Sequence, residues 1–213
     1  MNLNKDKLYY RNKRTDLLAL LPEGRRIDNV LEIGCGNGST GYLLKKENKA
    51  AHVYGIEIND KLKSEAEKNL DRVIIGDIEK IELPFDKEYF DCIIFADVLE
   101  HLYDPWFVLK KIKPFLKTGG FILASIPNIQ HWSVLFNLAG GKWEYKSEGI
   151  LDDTHIRFFT KRSVEKMFWE AGFEMTRVDR SMGKMIRFLN IISLRLFSNF
   201  FTFRYLIFAM KKK

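Results

Sequence analysis

Cysteine and proline are scarce in this chain, with 2 cysteines and 5 prolines among 213 residues. Cys35 and Cys92 offer neither a disulfide framework nor the paired spacing of a zinc site, so a reducing, cytoplasmic setting is expected. The segment from Met1 to Arg14 is polar and basic and lacks the apolar core of a secretory signal. Internal repeats and low-complexity stretches are also missing. These absences favour one α/β domain over residues 1–213 rather than a secreted scaffold or a repeat array.

Positive charge is in excess, since 35 Lys and Arg residues face 28 Asp and Glu residues and give a net charge of +7. Such a balance favours an anionic partner, which could be nucleic acid, acidic lipid or a phosphorylated metabolite. The basic residues are spread along the chain, so their distribution does not indicate which of these three kinds of partner is bound. Nucleic acid is not expected, because no appended RNA-binding domain is recognisable.

The most informative segment covers residues 30–39. An apolar strand carries Glu32 and then breaks into a loop with glycines at positions 34, 36 and 38. Glycine permits a positive φ and leaves no Cβ in a ligand's way. A strand, a glycine loop and a helix in this order hold nucleotide-like ligands at the carboxyl edge of a parallel sheet. The dinucleotide pattern Gly-x-Gly-x-x-Gly fits poorly, because Ser39 stands where its third glycine should be.

Further near-continuous apolar runs predict strands that are covered on both faces. They span residues 52–58, 72–78, 90–97 and 120–127, and two later runs at 173–179 and 204–211 predict the last strands. Helical periodicity lies between them at 60–70 and 105–116, and a helix capped by Thr160 is expected from 161 to 171. Residues 117–120, Lys-Thr-Gly-Gly, predict a helix stop and a turn.

The order and spacing of these motifs resemble class I S-adenosylmethionine-dependent methyltransferases over about residues 8–180. The resemblance implies an α/β fold with a doubly wound, mostly parallel seven-stranded sheet and an antiparallel last strand. It implies S-adenosylmethionine as cofactor, with Glu32 near its ammonium group, Glu57 on the ribose hydroxyls and Asp77 on the adenine amino group. The full set of expected cofactor-binding residues is Glu32, Gly34, Cys35, Gly36, Asn37, Gly38, Glu57, Ile58, Asp77, Ile78, Ala96 and Asp97.

Three segments outside the cofactor motifs are expected to determine the substrate. Residues 8–22 could form a short helix, capped by Thr15 or Asp16, over the cofactor cleft or packed on the sheet. Residues 128–160 are rich in aromatics and predict a lid; the run 151–160 is similar to bacterial methyltransferases encoded with glycan and cell-envelope enzymes. Residues 182–203 are apolar and basic, and they predict packing on the body, on a second subunit or on a membrane surface.

A hydroxyl acceptor must lose its proton during methyl transfer, and two histidines are the candidate bases. His101 follows the fourth predicted strand, and His155 lies in the lid, where Asp152 or Asp153 could orient its ring. A divalent cation held by Asp97, Glu100, His101 and a lid histidine is the alternative, known from some RNA and quinone O-methyltransferases; we expect no metal. The predicted function is O-methylation of a small molecule or a glycan or lipid-linked sugar precursor by a monomer or homodimer. The alternatives are a catalytically weak cofactor-binding module that acts through a partner enzyme, and metal-assisted RNA or quinone methylation.

Overall fold

The computed structural model describes residues 14–24, 27–183 and 196–212. Within them seven strands form one sheet in the order β3-β2-β1-β4-β5-β7-β6. The strands are β1 Ile27–Ile33, β2 Ala50–Glu57, β3 Arg72–Ile75, β4 Phe90–Ala96, β5 Leu116–Pro127, β6 Phe173–Ser181 and β7 Arg204–Lys211. Strands β1 to β5 pair in parallel, whereas β7 runs antiparallel to both β5 and β6. The predicted fold class is confirmed.

Helices cover both faces of this sheet. They are α1 Thr15–Leu18, α2 Ser39–Lys46, α3 Lys63–Ala66, α4 Pro105–Ile112, α5 Trp132–Ala139, α6 Lys161–Glu170 and α7 Ser198–Phe201. One buried cluster joins the sheet to α1, α2 and α3, and a second joins it to α4 and α6. Because both faces are buried, the central strands need apolar side chains on both sides, which explains their near-continuous apolar sequences.

The helix starts follow local sequence signals. The Thr160 hydroxyl accepts a hydrogen bond from the Ser163 amide at 3.2 Å, and the Ser163 hydroxyl accepts one from the Thr160 amide at 2.9 Å. This reciprocal capping box begins α6 where the sequence predicts it. Asp104 caps α4 through a single hydrogen bond, which its side chain accepts from the Phe107 amide at 2.8 Å. Short-range polar patterns therefore place both helices.

Some local predictions are corrected by the structure. Residues 117–120 belong to β5 rather than to a turn, although Gly119 has a φ of +77°. The ladder with β4 has Leu116 opposite Phe90 and then Phe121 opposite Cys92, so residues 117–120 form an irregularity within the strand instead of a chain reversal. The helix predicted over 60–70 is only a 3-10 turn at Asp60–Leu62 followed by α3. Arg14, not Thr15 or Asp16, occupies the N-cap position of α1, without a side-chain cap.

The apolar and basic segment predicted at 182–203 is described only in part, because residues 184–195 lie outside the described ranges. Its end forms α7 and leads directly into β7. Among the described helices, none combines the length and apolar character needed to cross a membrane.

Candidate functional site

A cavity of about 940 Å³ opens at the carboxyl ends of β1, β2 and β4. From β1 the sheet continues to β2 and β3 on one side and to β4 and β5 on the other, and ligands of open α/β sheets bind at such a switch point. Twelve of the predicted site residues line this cavity. They are Glu32, Gly34, Cys35, Gly36, Glu57, Ile58, Asp77, Ile78, Ala96, Asp97, His101 and His155.

The glycine loop after β1 is held by its surroundings. Gly34 has a φ of +67°, and a Cβ added there would lie 2.7 Å from Val98 Cγ2. The Glu57 carboxylate accepts hydrogen bonds from the Gly36 amide at 2.8 Å and from the Asn59 amide at 2.9 Å. Glu57 therefore ties the end of β2 to the loop after β1, in addition to facing the cavity.

Asn37 and Gly38 do not line the cavity. The Asn37 side chain accepts a hydrogen bond from the Ser39 hydroxyl at 2.6 Å and donates one to Glu65 at 3.2 Å. A Cβ at Gly38 would lie 2.9 Å from Leu70. These two residues of the predicted cofactor set therefore hold the loop against the α3 region.

Glu32 is a buried carboxyl group behind the glycine loop, with an exposed fraction of 2%. Burial raises its pKa to about 8, opposed by hydrogen bonds from the Thr40 side chain and the Gly41 amide. Its Oε2 atom has no hydrogen-bond partner among the described residues. Burial, with the neighbouring Glu32 and Glu57, also raises the pKa of the Cys35 thiol well above its usual value. Cys35 is therefore a packing residue rather than a nucleophile.

Asp97, at the end of β4, is surrounded by groups that the sequence did not single out. One carboxylate oxygen accepts from Arg14 Nη1 at 2.6 Å and from Arg204 Nη1 at 2.8 Å, and the other accepts from the Ser125 hydroxyl at 2.7 Å. Because β7 is antiparallel, its first residue, Arg204, falls at the carboxyl edge of the other strands, and topology could have revealed it. Arg14 carries no comparable sequence signal.

His101 and His155 both line the cavity, with ring centroids 4.7 Å apart. The lid returns to this place because the amides of Ile156 and Arg157 both donate to the Glu100 carbonyl at 3.0 Å. His155 Nε2 lies 3.9 Å from Glu100 Oε1. Burial, followed by the charge of Asp97, raises the pKa of Glu100 well above its usual value. The structure thus joins both predicted histidines and adds a carboxyl group that the base prediction had not used.

The other two histidines lie outside the cavity. His131 precedes α5 and has its Nδ1 2.8 Å from the Ser133 hydroxyl, and burial lowers its pKa. His52 is exposed near the start of β2, at the opposite edge of the sheet. Neither contributes to the cluster at the end of β4.

The beginning of the lid and the residues before β7 pack together. The buried Asn128 side chain donates to the carbonyls of Asn199 at 2.6 Å and Thr202 at 2.7 Å. Nearby, the rings of Phe136 and Phe200 are 5.8 Å apart. Six large apolar side chains of these two segments are exposed, and we call them the lid patch: Trp132, Leu135, Phe136, Leu138, Leu196 and Phe197.

Residues 6–178 match the model of a protein family described as a methyltransferase domain. The chain is similar to a demethylmenaquinone methyltransferase of Listeria monocytogenes, with 27% identity over 70% of this chain and 71% of the relative. It is 32% identical to a 27-O-demethylrifamycin SV methyltransferase of Amycolatopsis mediterranei over 50% of this chain and 41% of that protein. A solved S-adenosylmethionine-dependent methyltransferase of Archaeoglobus fulgidus has the same fold, with a TM-score of 0.70, 20% identity, and coverage of 98% of this chain and 96% of that one.

Proposed function

The chain belongs to the methyltransferase-domain family and is an S-adenosylmethionine-dependent enzyme, and from this we propose that it methylates a hydroxyl group of a small molecule or a glycan or lipid-linked sugar precursor. The cofactor supplies an already activated methyl group, so the protein must mainly align the acceptor and remove its proton. The Amycolatopsis relative is named for an O-demethylated substrate, which supports an oxygen acceptor.

The residues of the cavity suit this cofactor. The buried Glu32 Oε2, without a partner among the described residues, is available for the ammonium group. Glu57 has one described hydrogen bond on each carboxylate oxygen, and a carboxylate can accept further bonds from the ribose hydroxyls. Asp77 lines the same cavity at the position proposed for the adenine amino group. Gly34 lines the same cavity, and an added Cβ there would clash with Val98, so the loop can take this conformation only with glycine at that position.

The observation that carries the proposal is the cluster of Glu100, His101 and His155 beside the end of β4. These three groups line the same cavity as the cofactor residues, so an acceptor there would lie next to both. A hydroxyl group is a poor nucleophile until its proton is removed, whereas an amine or a thiolate has less need of such a cluster. The cluster therefore favours a hydroxyl acceptor.

The test is a turnover screen that detects S-adenosylhomocysteine with nucleotide sugars, lipid-linked sugars, quinones and RNA. We expect turnover with a hydroxylated acceptor and a fall in kcat of roughly 10²–10⁴-fold in His155→Ala, with cofactor affinity unchanged. His52→Ala, which removes an exposed histidine far from the cavity, is the matched control. Methylation of an amine or a carbon atom, or full activity of His155→Ala, would refute the proposed acceptor.

We further propose that the acceptor is reached at a lipid surface through the lid patch. Phe136 and Phe197 are exposed by 64% and 55%, and Leu196 by 79%. An apolar patch of this kind on a basic protein fits contact with an acidic membrane surface. The Listeria relative is named for demethylmenaquinone, an apolar molecule, which supports an acceptor of this character.

Liposome co-sedimentation tests this part of the proposal. The protein should bind vesicles that contain acidic lipid at low salt, and binding should weaken at high salt because screening shortens the range of the attraction. A variant with Phe136, Leu196 and Phe197 changed to Ser should lose binding but keep its fold. Trp169→Ser, which removes an exposed aromatic of α6, is the control. The lid patch is not a membrane-contact surface if the wild type does not bind the vesicles, or if Trp169→Ser loses as much binding as the triple variant.

A further inference from the structure

Glu100 is the most deeply buried charged side chain that lines the cavity. Its exposed fraction is 1%, and neither carboxylate oxygen accepts a hydrogen bond from another described residue. A buried carboxyl group without hydrogen-bond partners costs stability, so such a group needs a compensating function. Asp97 does not face this problem, because two arginines and a serine hydroxyl satisfy it. Glu100 therefore differs from the other acidic group at the end of β4.

The two histidines beside Glu100 are oriented through their Nδ1 atoms. His101 Nδ1 lies 3.1 Å from the Thr154 carbonyl, and His155 Nδ1 lies 3.0 Å from the Ile150 carbonyl. A carbonyl oxygen can only accept, so each Nδ1 carries a proton, and in the neutral form of each ring the lone pair then lies on Nε2. Histidines that bind metal ions have the same arrangement, in which a backbone carbonyl fixes the ring and its tautomer.

We propose that Glu100, His101 and His155 bind one divalent transition-metal cation, which replaces the expectation of no metal drawn from the sequence. One ligand atom from each of the three residues lies within 4.8 Å of the others. Metal–nitrogen bonds of about 2.0–2.1 Å require the ligand atoms to come closer than they are in this structure, so binding involves rotation of these side chains. The cation neutralises the buried carboxylate of Glu100 and leaves coordination positions open toward the cavity. It thereby accounts for the missing hydrogen bonds of Glu100 and for the two fixed tautomers together.

The composition of the site indicates which cation it takes. Two imidazoles and one carboxylate suit Zn²⁺, Fe²⁺ or a similar first-row ion, whereas Mg²⁺ and Ca²⁺ prefer oxygen ligands. Asp97 is excluded from the proposed metal ligands, since its Oδ2 atom already accepts hydrogen bonds from Arg14 and Arg204. The open positions could receive the acceptor oxygen and lower its pKa; this last role rests on the proposed function, but cation binding does not.

The test uses the purified full chain after treatment with EDTA and dialysis. Titration with Co²⁺, followed by its visible absorption, and with Zn²⁺ by calorimetry should show one site per chain. Glu100→Gln and His155→Ala should each weaken binding more than about 100-fold, because losing even a partner of a ligand costs 10–100-fold. His52→Ala should bind normally. Zn²⁺ should also raise the Tm of the wild type but not that of Glu100→Gln.

Far-UV circular dichroism and S-adenosylmethionine affinity show whether the variants are folded, so a loss of metal binding can be separated from unfolding. Equal affinity in the wild type, Glu100→Gln and His155→Ala would overturn the proposal, as would a wild type that binds neither ion. These results do not depend on any acceptor. Failure of the cation site would thus leave the proposed O-methylation to be decided by the turnover screen.

Discussion

Replacing Glu32 by glutamine should change how the stability of the protein depends on pH. Burial raises the pKa of Glu32 from its ordinary value of 4.5 to about 8. Between these two values the folded chain keeps the carboxyl group protonated, whereas the unfolded chain releases the proton. The folded state therefore binds one more proton than the unfolded state throughout this window. The Glu32→Gln variant lacks this difference, because an amide does not titrate.

The sign follows from this difference in bound protons. Stability from the raised pKa is fully present below pH 4.5 and is lost as the pH rises through about 8. The loss amounts to about 1.4 kcal/mol for each pH unit within the window. Because the variant does not undergo this loss, its free energy of unfolding should increase relative to that of the wild type as the pH rises. Across the window the relative gain is on the order of 4–5 kcal/mol.

Urea unfolding of both proteins at pH 5, 6, 7 and 8 measures this gain. The difference between the two free energies of unfolding is the quantity to plot, because the other titrating groups largely cancel in it. Glu82→Gln, which neutralises an exposed carboxylate outside the cavity, controls for the loss of one charge. Parallel pH profiles for wild type and Glu32→Gln would show that Glu32 is not held protonated, and the reasoning would fail.

Binding of S-adenosylmethionine should also change the protonation of Glu32. An ammonium group next to Glu32 favours the ionised carboxylate, so binding of S-adenosylmethionine at pH 6 should release close to one proton. Calorimetry in buffers with different ionisation enthalpies measures that proton. The release should be absent in Glu32→Gln. Binding without proton release in the wild type would remove Glu32 from the ammonium site.

Three further predictions concern the loop and the end of β4. Glu57→Gln cannot serve both backbone amides that the carboxylate accepts from, so it should lose about 1.5–3 kcal/mol, measured by urea unfolding, and bind the cofactor more weakly in calorimetry. Gly34→Ala should cost about 1–3 kcal/mol of stability, because its Cβ would lie 2.7 Å from Val98, and Val98→Ala in the same chain should restore part of it. Asp97→Asn leaves two arginines facing a neutral amide, so the Tm of this variant should lie below that of the wild type at low salt and approach it as salt is added. A Tm difference between the two proteins that does not change with salt would contradict this.

Local patterns were sufficient for much of the fold. The capping residues of α6, the apolar runs of the strands and the glycine loop after β1 act over a few residues, so the chain displays them without its tertiary contacts. The bounds of β7 were predicted correctly at 204–211. The turn predicted at 117–120 was wrong because β5 pairs with β4 both before and after these residues, which therefore form an irregularity within the strand.

The candidate site shows the same division at the level of side chains. The sequence identified His101 and His155 separately, but 53 residues separate His101 from Thr154, whose carbonyl orients its ring. Arg14 and Asp97 are 83 residues apart and meet at 2.6 Å. A sequence pattern gives residue types and their spacing along the chain. It does not show which residues so far apart in sequence come into contact in the folded protein.

The sequence by itself determined the sheet-and-helix architecture and the glycine loop, since these depend on periodicity and on the backbone freedom of a few positions. The cofactor followed from the resemblance of the motif order to S-adenosylmethionine-dependent methyltransferases. Only the tertiary structure decided which side chains share the cavity. It turned Asn37 toward α3, placed two arginines on Asp97, and brought Glu100, His101 and His155 together. The physical reason is that burial and strand order set the solvation and the neighbours of each group, and these in turn set its charge and chemistry.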